Sequence, residues 1–289
     1  MIVLFSLCLP AMINAYFCSA FCSPNQCSGV TSSTCLACDA PFYVNGSQCS
    51  FDTDMYELIE ETDMNISIQK TDTCKHYSYY GKYDSSETPI VQTNNAVTTP
   101  HFGFRFIMWL FFEDYWISGD YVRIYQNQLG LYKYYYAHNK DTEENLTCGY
   151  TFYTEKFSKV DEYYSHSASE VLQFSLWTNH FYDYGVKEFM VLLYKCHAYC
   201  SACTIYSNEH CSSCASGYKL SGSVCEADCL DGYGEDGTSV CIVCISSCLE
   251  CSMVANNCTE CYHNGSNEGY LFSNNNSCLT SCPSGYAAI

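Results

Sequence analysis

Cysteine is the residue type in this chain best placed to do chemistry, and there are 24 of them. From Cys196 the spacing reads Cys196-x3-Cys200-x2-Cys203-x7-Cys211-x2-Cys214, followed by Cys225, Cys229 and Cys241. It restarts as Cys244-x3-Cys248-x2-Cys251-x6-Cys258-x2-Cys261, followed by Cys278 and Cys282. A third copy, Cys18-x3-Cys22-x4-Cys27-x7-Cys35-x2-Cys38-x10-Cys49, stands near the N-terminus. Thiols in this pattern can do two things. Two Cys-x2-Cys pairs can hold zinc in a tetrahedral thiolate site. In an oxidising compartment they instead close disulfides. Zinc would use Cys200, Cys203, Cys211 and Cys214 and leave Cys196, Cys225, Cys229 and Cys241 without a role. Disulfides employ all of them, so the pattern reads as a repeated covalent staple.

Other chemistry is sparse. The eight histidines (His76, His101, His138, His166, His180, His197, His210 and His263) form no H-E-x-x-H motif, and there is no G-x-S-x-G elbow or P-loop. A G-x-G-x-x-G match at Gly232, Gly234 and Gly237 lies between Cys229 and Cys241. A dinucleotide site needs a strand before it and a helix after it, so this one reads as a glycine-rich turn. The expectation is a non-enzymatic chain with no cofactor, calcium excepted. Glu113, Asp114 and Asp120 in one loop and Asp183 in another offer hard oxygen ligands for calcium; solvated acidic loops are the plain alternative. Trp109, Trp116 and Trp177 could stack on a sugar or fill a core. The run Tyr132-Lys133-Tyr134-Tyr135-Tyr136 is hard to bury, which suggests either a recognition strip or a sheet edge.

These residues need elements to position them, and the cysteine map divides the chain. Residues 18–49 hold six cysteines, residues 50–195 only Cys74 and Cys148, which are expected to pair, and residues 196–289 fifteen. The flanks are rich in Ser, Gly, Asn and Cys and cannot bury a core without covalent help. The middle is rich in Tyr, Phe, Trp and Val, which favour strands. Residues 101–112 alternate Phe102, Phe104, Phe106, Met108, Leu110 and Phe112 against Ile107, Trp109 and Phe111, so both faces are partly covered. Further strands are expected at 120–125, 131–136, 171–176 and 187–194, with turns at Ser118-Gly119-Asp120 and Asp183-Tyr184-Gly185. The expected fold is mainly β: a central antiparallel β-sandwich of jelly-roll type over 50–195, with an open antiparallel sheet as the alternative. It is flanked by cysteine-rich modules at 16–49 and 196–289 that stack into a rod.

The formal net charge is −19. A surface so negative excludes nucleic acid as a partner and disfavours anionic lipid. Residues 1–15 read as a signal peptide, apolar from 2 to 12 apart from Ser6. Together with the cysteines this places the chain outside the cell, on its surface or secreted. Sequons at Asn45, Asn65, Asn145, Asn264 and Asn275 are candidate glycan sites; at Asn257 the middle residue is Cys258. No later stretch is long and apolar enough to span a membrane, so a membrane is expected only through an anchor beyond residue 289.

The spacing from Cys196 to Cys282 resembles the furin-like cysteine-rich repeats of growth-factor-receptor ectodomains. Gly217-Tyr218-Lys219-Leu220 and Cys282-Pro283-Ser284-Gly285-Tyr286 add to that resemblance. It implies interlocked pairs followed by single bridges. Those pairs are Cys196–Cys203 with Cys200–Cys211, then Cys214–Cys225 and Cys229–Cys241. The next unit implies Cys244–Cys251 with Cys248–Cys258, then Cys261–Cys278. At the N-terminus it implies Cys18–Cys27 with Cys22–Cys35, then Cys38–Cys49. Cys282 is left for a cysteine further on, which implies an array that continues. An aromatic β domain running through Tyr184-Gly185-Val186-Lys187-Glu188-Phe189 into such repeats is similar to cell-surface proteins of ciliated protozoa. The implied function is adhesion, ligand recognition or surface-coat structure, with protein or carbohydrate as partner. The alternatives are a non-catalytic arm of a secreted or surface enzyme, such as a protease, or a signalling receptor ectodomain.

Overall fold

The computed structural model describes residues 35–45, 48–74, 77–113, 116–136, 142–143, 156–207 and 209–261, with short pieces between 263 and 284. Apart from one 3-10 turn at Glu61–Asp63, every element among the described residues is a strand. A hairpin of β1 (Tyr43–Asn45) and β2 (Gln48–Ser50) comes first. Twelve strands follow: β3 (Tyr56–Ile59), β4 (Met64–Ile66), β5 (Thr71–Cys74), β6 (Tyr77–Tyr83), β7 (Ile90–Thr93), β8 (His101–Phe112), β9 (Tyr121–Gln126), β10 (Leu131–Tyr136), β11 (Thr142–Glu143), β12 (Lys156–Ser165), β13 (Gln173–Thr178) and β14 (Tyr184–Lys195). They form two antiparallel sheets. One is five-stranded, in the order β10-β9-β13-β7-β4; the other runs β11-β12-β8-β14-β6-β5, with β3 also paired to β14.

The sheets pack face to face. Phe104, Phe106, Met108, Leu110 and Phe112 of β8 meet Val122 and Ile124 of β9 and Phe174 and Leu176 of β13 in one core. The Phe106 and Phe174 rings stack with centroids 3.7 Å apart. Strands β9 and β13 alternate buried residues with half-buried or exposed ones, as a sheet with one wetter face does. Strand β8 does not, because its reverse face is covered too. There Ile107, Trp109 and Phe111 join Phe42, Tyr79, Phe157 and Leu192 in a second cluster, with Cys38, Cys49, Phe51 and Tyr56 against it. Residues 38–45 and 48–51 therefore fold back over the outer face of the larger sheet. Charges hold them there: Lys159 Nζ lies 2.5 Å from Asp39 Oδ2, and Arg105, paired with Asp161, also donates to the Ala40 carbonyl.

The strands at 101–112 and 131–136 lie where alternation places them. Strand β13 lies two residues beyond the expected 171–176, because Phe174, Leu176 and Thr178 are the inward set. The expected turn at 183–185 is displaced: the chain bends at 179–182 and β14 begins at Tyr184. Gly185 lies within that strand, and the Tyr79 ring over it leaves no room for a Cβ, so glycine is required there. Strand β12 was not expected, since Lys159, Asp161 and Glu162 mask its alternation. Those side chains are all spoken for by Asp39, Arg105, Lys133 and Tyr135.

Beyond Lys195 the chain is a ladder of hairpins: β15 (Cys200–Cys203) with β16 (Cys211–Cys214), β17 (Lys219–Ser221) with β18 (Val224–Glu226), β19 (Tyr233–Glu235) with β20 (Cys241–Val243), and β21 (Cys248–Cys251) with β22 (Cys258–Cys261). Disulfides join Cys196 to Cys203, Cys200 to Cys211, Cys214 to Cys225, Cys229 to Cys241, Cys244 to Cys251, Cys248 to Cys258 and Cys261 to Cys278. A further bridge joins Cys38 to Cys49. Cys18, Cys22, Cys27, Cys148 and Cys282, and the side chain of Cys74, lie outside the described residues. The buried clusters of this flank consist almost wholly of cysteine. Gly234 presses on the backbone of Cys251, and Gly232 and Gly237 take the left-handed conformation (φ 87° and 86°). Packing and turn geometry thus account for all three glycines of the G-x-G-x-x-G match.

Candidate functional site

The outer face of the five-stranded sheet carries the exposed aromatics. Val122, Ile124 and Gln126 of β9 point to the core, so Tyr121, Arg123 and Tyr125 point out. Register places Tyr132 opposite Tyr125, Tyr134 opposite Arg123 and Tyr136 opposite Tyr121. Trp177 of β13 lies opposite Arg123 on the other side. Tyr132 is 54% exposed, Tyr134 40% and Tyr136 39%. The rings touch in sequence: Tyr132 to Tyr134 at 5.5 Å, Tyr134 to Tyr121 at 4.8 Å, Tyr121 to Tyr136 at 5.8 Å and Tyr121 to Trp177 at 6.1 Å. The 132–136 run is therefore both a sheet edge and an exposed strip.

Strand β10 is held in place from behind. Its inward residues Lys133 and Tyr135 both reach Glu162 of the opposite sheet, at 3.2 Å and 2.8 Å. Burial first, and the Glu162 bond second, push the Tyr135 phenol well above its ordinary value, so it remains a donor. Beside the aromatics runs a row of polar side chains. Ser175 Oγ donates to Asn127 Oδ1 (2.9 Å), Asn127 Nδ2 to Gln173 Oε1 (3.4 Å), and Gln173 Nε2 to Gln92 Oε1 (3.0 Å). The residues that sequence reasoning passed over here are Tyr121, Arg123, Gln92, Asn127 and Gln173. Their signal was the outward half of three alternating strands, β7, β9 and β13, with Asn127 just past the end of β9.

Two of the three tryptophans are not available for stacking on a ligand. Trp109 and Trp116 are each 4% exposed. Trp116 Nε1 donates to the Glu113 carbonyl (2.9 Å) and reaches that of Asp183 (3.2 Å), and its ring packs on Phe112 and His180. The acidic loops are internally engaged as well. Asp120 Oδ2 accepts the Ile117 N–H (2.8 Å) and lies 3.3 Å from His180 Nε2. Glu113 Oε2 accepts the Tyr79 hydroxyl at 3.1 Å. Asp114 lies outside the described residues. Among those described, the groups of three ligating atoms close enough to share an ion are cysteine sulfurs, and those cysteines are bridged.

Of the sequon residues, Asn45 is exposed, and Asn65 is half-buried in β4, on the same outer face, beside Gln92. Asn145, Asn275 and the Asn264 side chain lie outside the described residues.

A titratable chain sits where the sheets meet the cysteine ladder. Pro100's carbonyl accepts the Cys196 N–H (2.8 Å), and His101 follows it as the first residue of β8. His101 Nδ1 lies 2.7 Å from the Thr99 carbonyl, which can only accept, so that nitrogen carries the hydrogen. His101 Nε2 is then left to accept from His166 Nδ1 at 2.9 Å, and His166 Nε2 meets Glu170 at 2.7 Å. Glu57 bonds Thr99 Oγ1 (2.6 Å) and faces the same group. Burial above all holds His101 below its ordinary value; the Thr99 carbonyl opposes this and His166 adds to it. The unfolded chain therefore binds more protons than the folded one, and stability rises with pH through this window. The contribution is complete above about pH 6.5, the unfolded value, and is lost as pH falls through the lower folded one. Melting temperature should fall from pH 7 to 5, and His101→Gln should flatten that slope. Equal slopes in the two proteins would remove His101 from the account.

Comparison with known proteins adds to this geometry. No family model matches the chain. Cysteine repeat modular protein 2 of Tetrahymena thermophila is 33% identical over 99 residues, which is 33% of this chain and 4% of that protein. Human proprotein convertase subtilisin/kexin type 5 is 39% identical over 71 residues, 23% of this chain and 4% of that one. The chain is a cysteine-rich repeat protein. It spans only a small part of either curated relative. Among solved structures, this repeat protein is similar over 48% of its length to the C-terminal CBM6 of LamC, a marine laminarinase from Zobellia galactanivorans (10% identity, 98% of that chain, TM-score 0.29). Similar coverage is found with the carbohydrate-binding module CBM6cm-2 of Cellvibrio mixtus lichenase 5A (10% identity, 97% of that chain, TM-score 0.30).

Proposed function

We propose that this repeat protein is a non-catalytic recognition module of a secreted or surface glycoprotein, and that it binds carbohydrate on the outer face of the five-stranded sheet. The observation that carries this reading is the row Tyr132, Tyr134 and Tyr136, left exposed beside Tyr121 and Trp177. Exposed contiguous aromatics mark an interaction surface. Tyrosine and tryptophan pair an apolar ring with a polar tip, which suits a ligand with apolar faces and hydroxyl edges. The adjoining row of Gln92, Gln173, Asn127 and Ser175 supplies both donors and acceptors in a fixed order. On this reading the disulfide ladder is a spacer that presents the sheet. Entry to the secretory pathway through residues 1–15 and glycans at the sequons belong to the same proposal. A non-catalytic arm of a secreted enzyme is the second reading, favoured by the 71-residue similarity to the proprotein convertase.

The full chain should bind a subset of an array of neutral and acidic glycans. Tyr134→Ala and Trp177→Ala should each weaken that binding by about tenfold, since one aromatic contact is worth roughly 1 kcal/mol or slightly more. Melting temperature should move little for Tyr134→Ala, because the ring lies on the surface and packs only on neighbouring surface rings. An array with no hit, or hits indifferent to both substitutions, would contradict the assignment.

A further inference from the structure

The open face contains one cation among the described residues, and its surroundings differ from those of the other cations described. The chain has 31 Asp and Glu against 12 Lys and Arg, so a base is seldom far from an acid. Lys70, Lys82, Lys133, Lys159, Lys187 and Lys219 all have a carboxylate within 4 Å. So does Arg105, which grips Asp161 with two nitrogens. Lys195 has no carboxylate but donates to the Thr53 carbonyl at 2.9 Å. For Arg123, among the described residues, no carboxylate reaches its guanidinium. Its Nε is buried with no hydrogen-bond partner. Its guanidinium carbon lies 4.9 Å from the centroid of the Trp177 ring, and Tyr134 flanks it in the register on the other side.

This arrangement has a cost and a use. A buried donor without an acceptor is destabilising. A guanidinium stacked on an indole is already held in one plane, so its remaining donors form a fork ready for a planar anion. A carboxylate matches that fork with two charge-assisted bonds. The strong negative charge of the whole chain sharpens the point. Its field repels polyanions at long range but is screened within about 8 Å at physiological salt. An anion bound here would be held by Arg123 and its ring neighbours, not by general attraction.

Resting on the carbohydrate reading of this face, we infer that the ligand is an acidic glycan whose anionic group is bound by Arg123 while adjoining sugar rings stack on Tyr134 and Trp177. Calorimetry on the full chain with a panel of oligosaccharides tests this. The panel holds oligogalacturonate, its methyl ester, oligoguluronate, sialyllactose, a sulfated galactan oligosaccharide and neutral cello- and laminari-oligosaccharides. At least one acidic member should bind on the order of tenfold or more tighter than its neutral counterpart. Arg123→Gln should erase that preference, and Arg123→Lys should restore only part of it because the fork is lost. Preference for the sulfated over the carboxylated members, with the same dependence on Arg123, would assign the anion to sulfate within the same inference. Binding of neutral sugars that Tyr134→Ala abolishes and Arg123→Gln leaves intact would overturn the inference while leaving the recognition face standing. No binding by any member would overturn both. Arg123→Gln should melt within a few degrees of the parent chain, so that its loss reports on binding and not on folding.

Discussion

Reductant should unfold residues 196–261 and leave the two sheets between residues 56 and 195 largely intact. In the ladder the buried clusters are the disulfides themselves, with Ile242, Phe102, Tyr218 and Leu220 against them. Each bridge there closes a short loop, worth roughly 2–4 kcal/mol in the entropic account. A handful of apolar side chains cannot replace seven such constraints. The sheets have the Met64-to-Leu193 core instead, which contains no cysteine. Hydrogen exchange in reductant should show the ladder amides unprotected and the β8 and β14 amides still slow. Simultaneous loss of both would mean that the sheets depend on the staples. Reduction of Cys38–Cys49 should have a smaller effect, loosening the segment that covers Trp109 and Phe111.

The second large effect is expected at Phe174. Its ring is fully buried, stacks on Phe106 at 3.7 Å and meets Phe104 edge-on at 5.8 Å, where the two sheets touch. Phe174→Ala removes those contacts and opens a cavity between rigid sheets, for a loss of about 3–5 kcal/mol. Urea unfolding of the substituted chain gives the number directly. A loss below about 1 kcal/mol would mean that the sheets are not joined through this stack. Phe181→Ser is the natural control: that ring is 71% exposed, so its loss should cost within about 0.5 kcal/mol.

Much of the fold could be read from residue order, and the failures have physical causes. Strands β8 and β10 follow from alternation, and the apolar character of both faces of β8 correctly implied cover on each side. What covers its reverse face, residues 38–45 and 48–51, could not be inferred, because long-range packing leaves no local period. Strand β12 escaped notice because Lys159, Asp161 and Glu162 look like a solvated run until their partners Asp39, Arg105 and Lys133 are in place. The site was half legible. The tyrosine run at 132–136 could be singled out as hard to bury, but tryptophan alone does not declare its face. Trp116 looked as suitable for stacking as Trp177 and proved to be core, its indole N–H turned inward to backbone carbonyls. The acidic loop likewise looked open in one dimension, whereas Asp120 is folded against His180 and its own backbone. Arg123 attracted no notice because nothing in a sequence shows that a charge lacks a partner.

Hydrogen exchange of the intact chain with and without the tightest-binding oligosaccharide is the most direct test of where recognition takes place. Slowed exchange should be confined to residues 121–136 and 173–178, the strands that carry Tyr121, Arg123, Tyr134, Tyr136 and Trp177. Protection that falls instead on the 179–183 bend or the cysteine ladder, with β9, β10 and β13 unchanged, would contradict the assignment of this face as the binding surface.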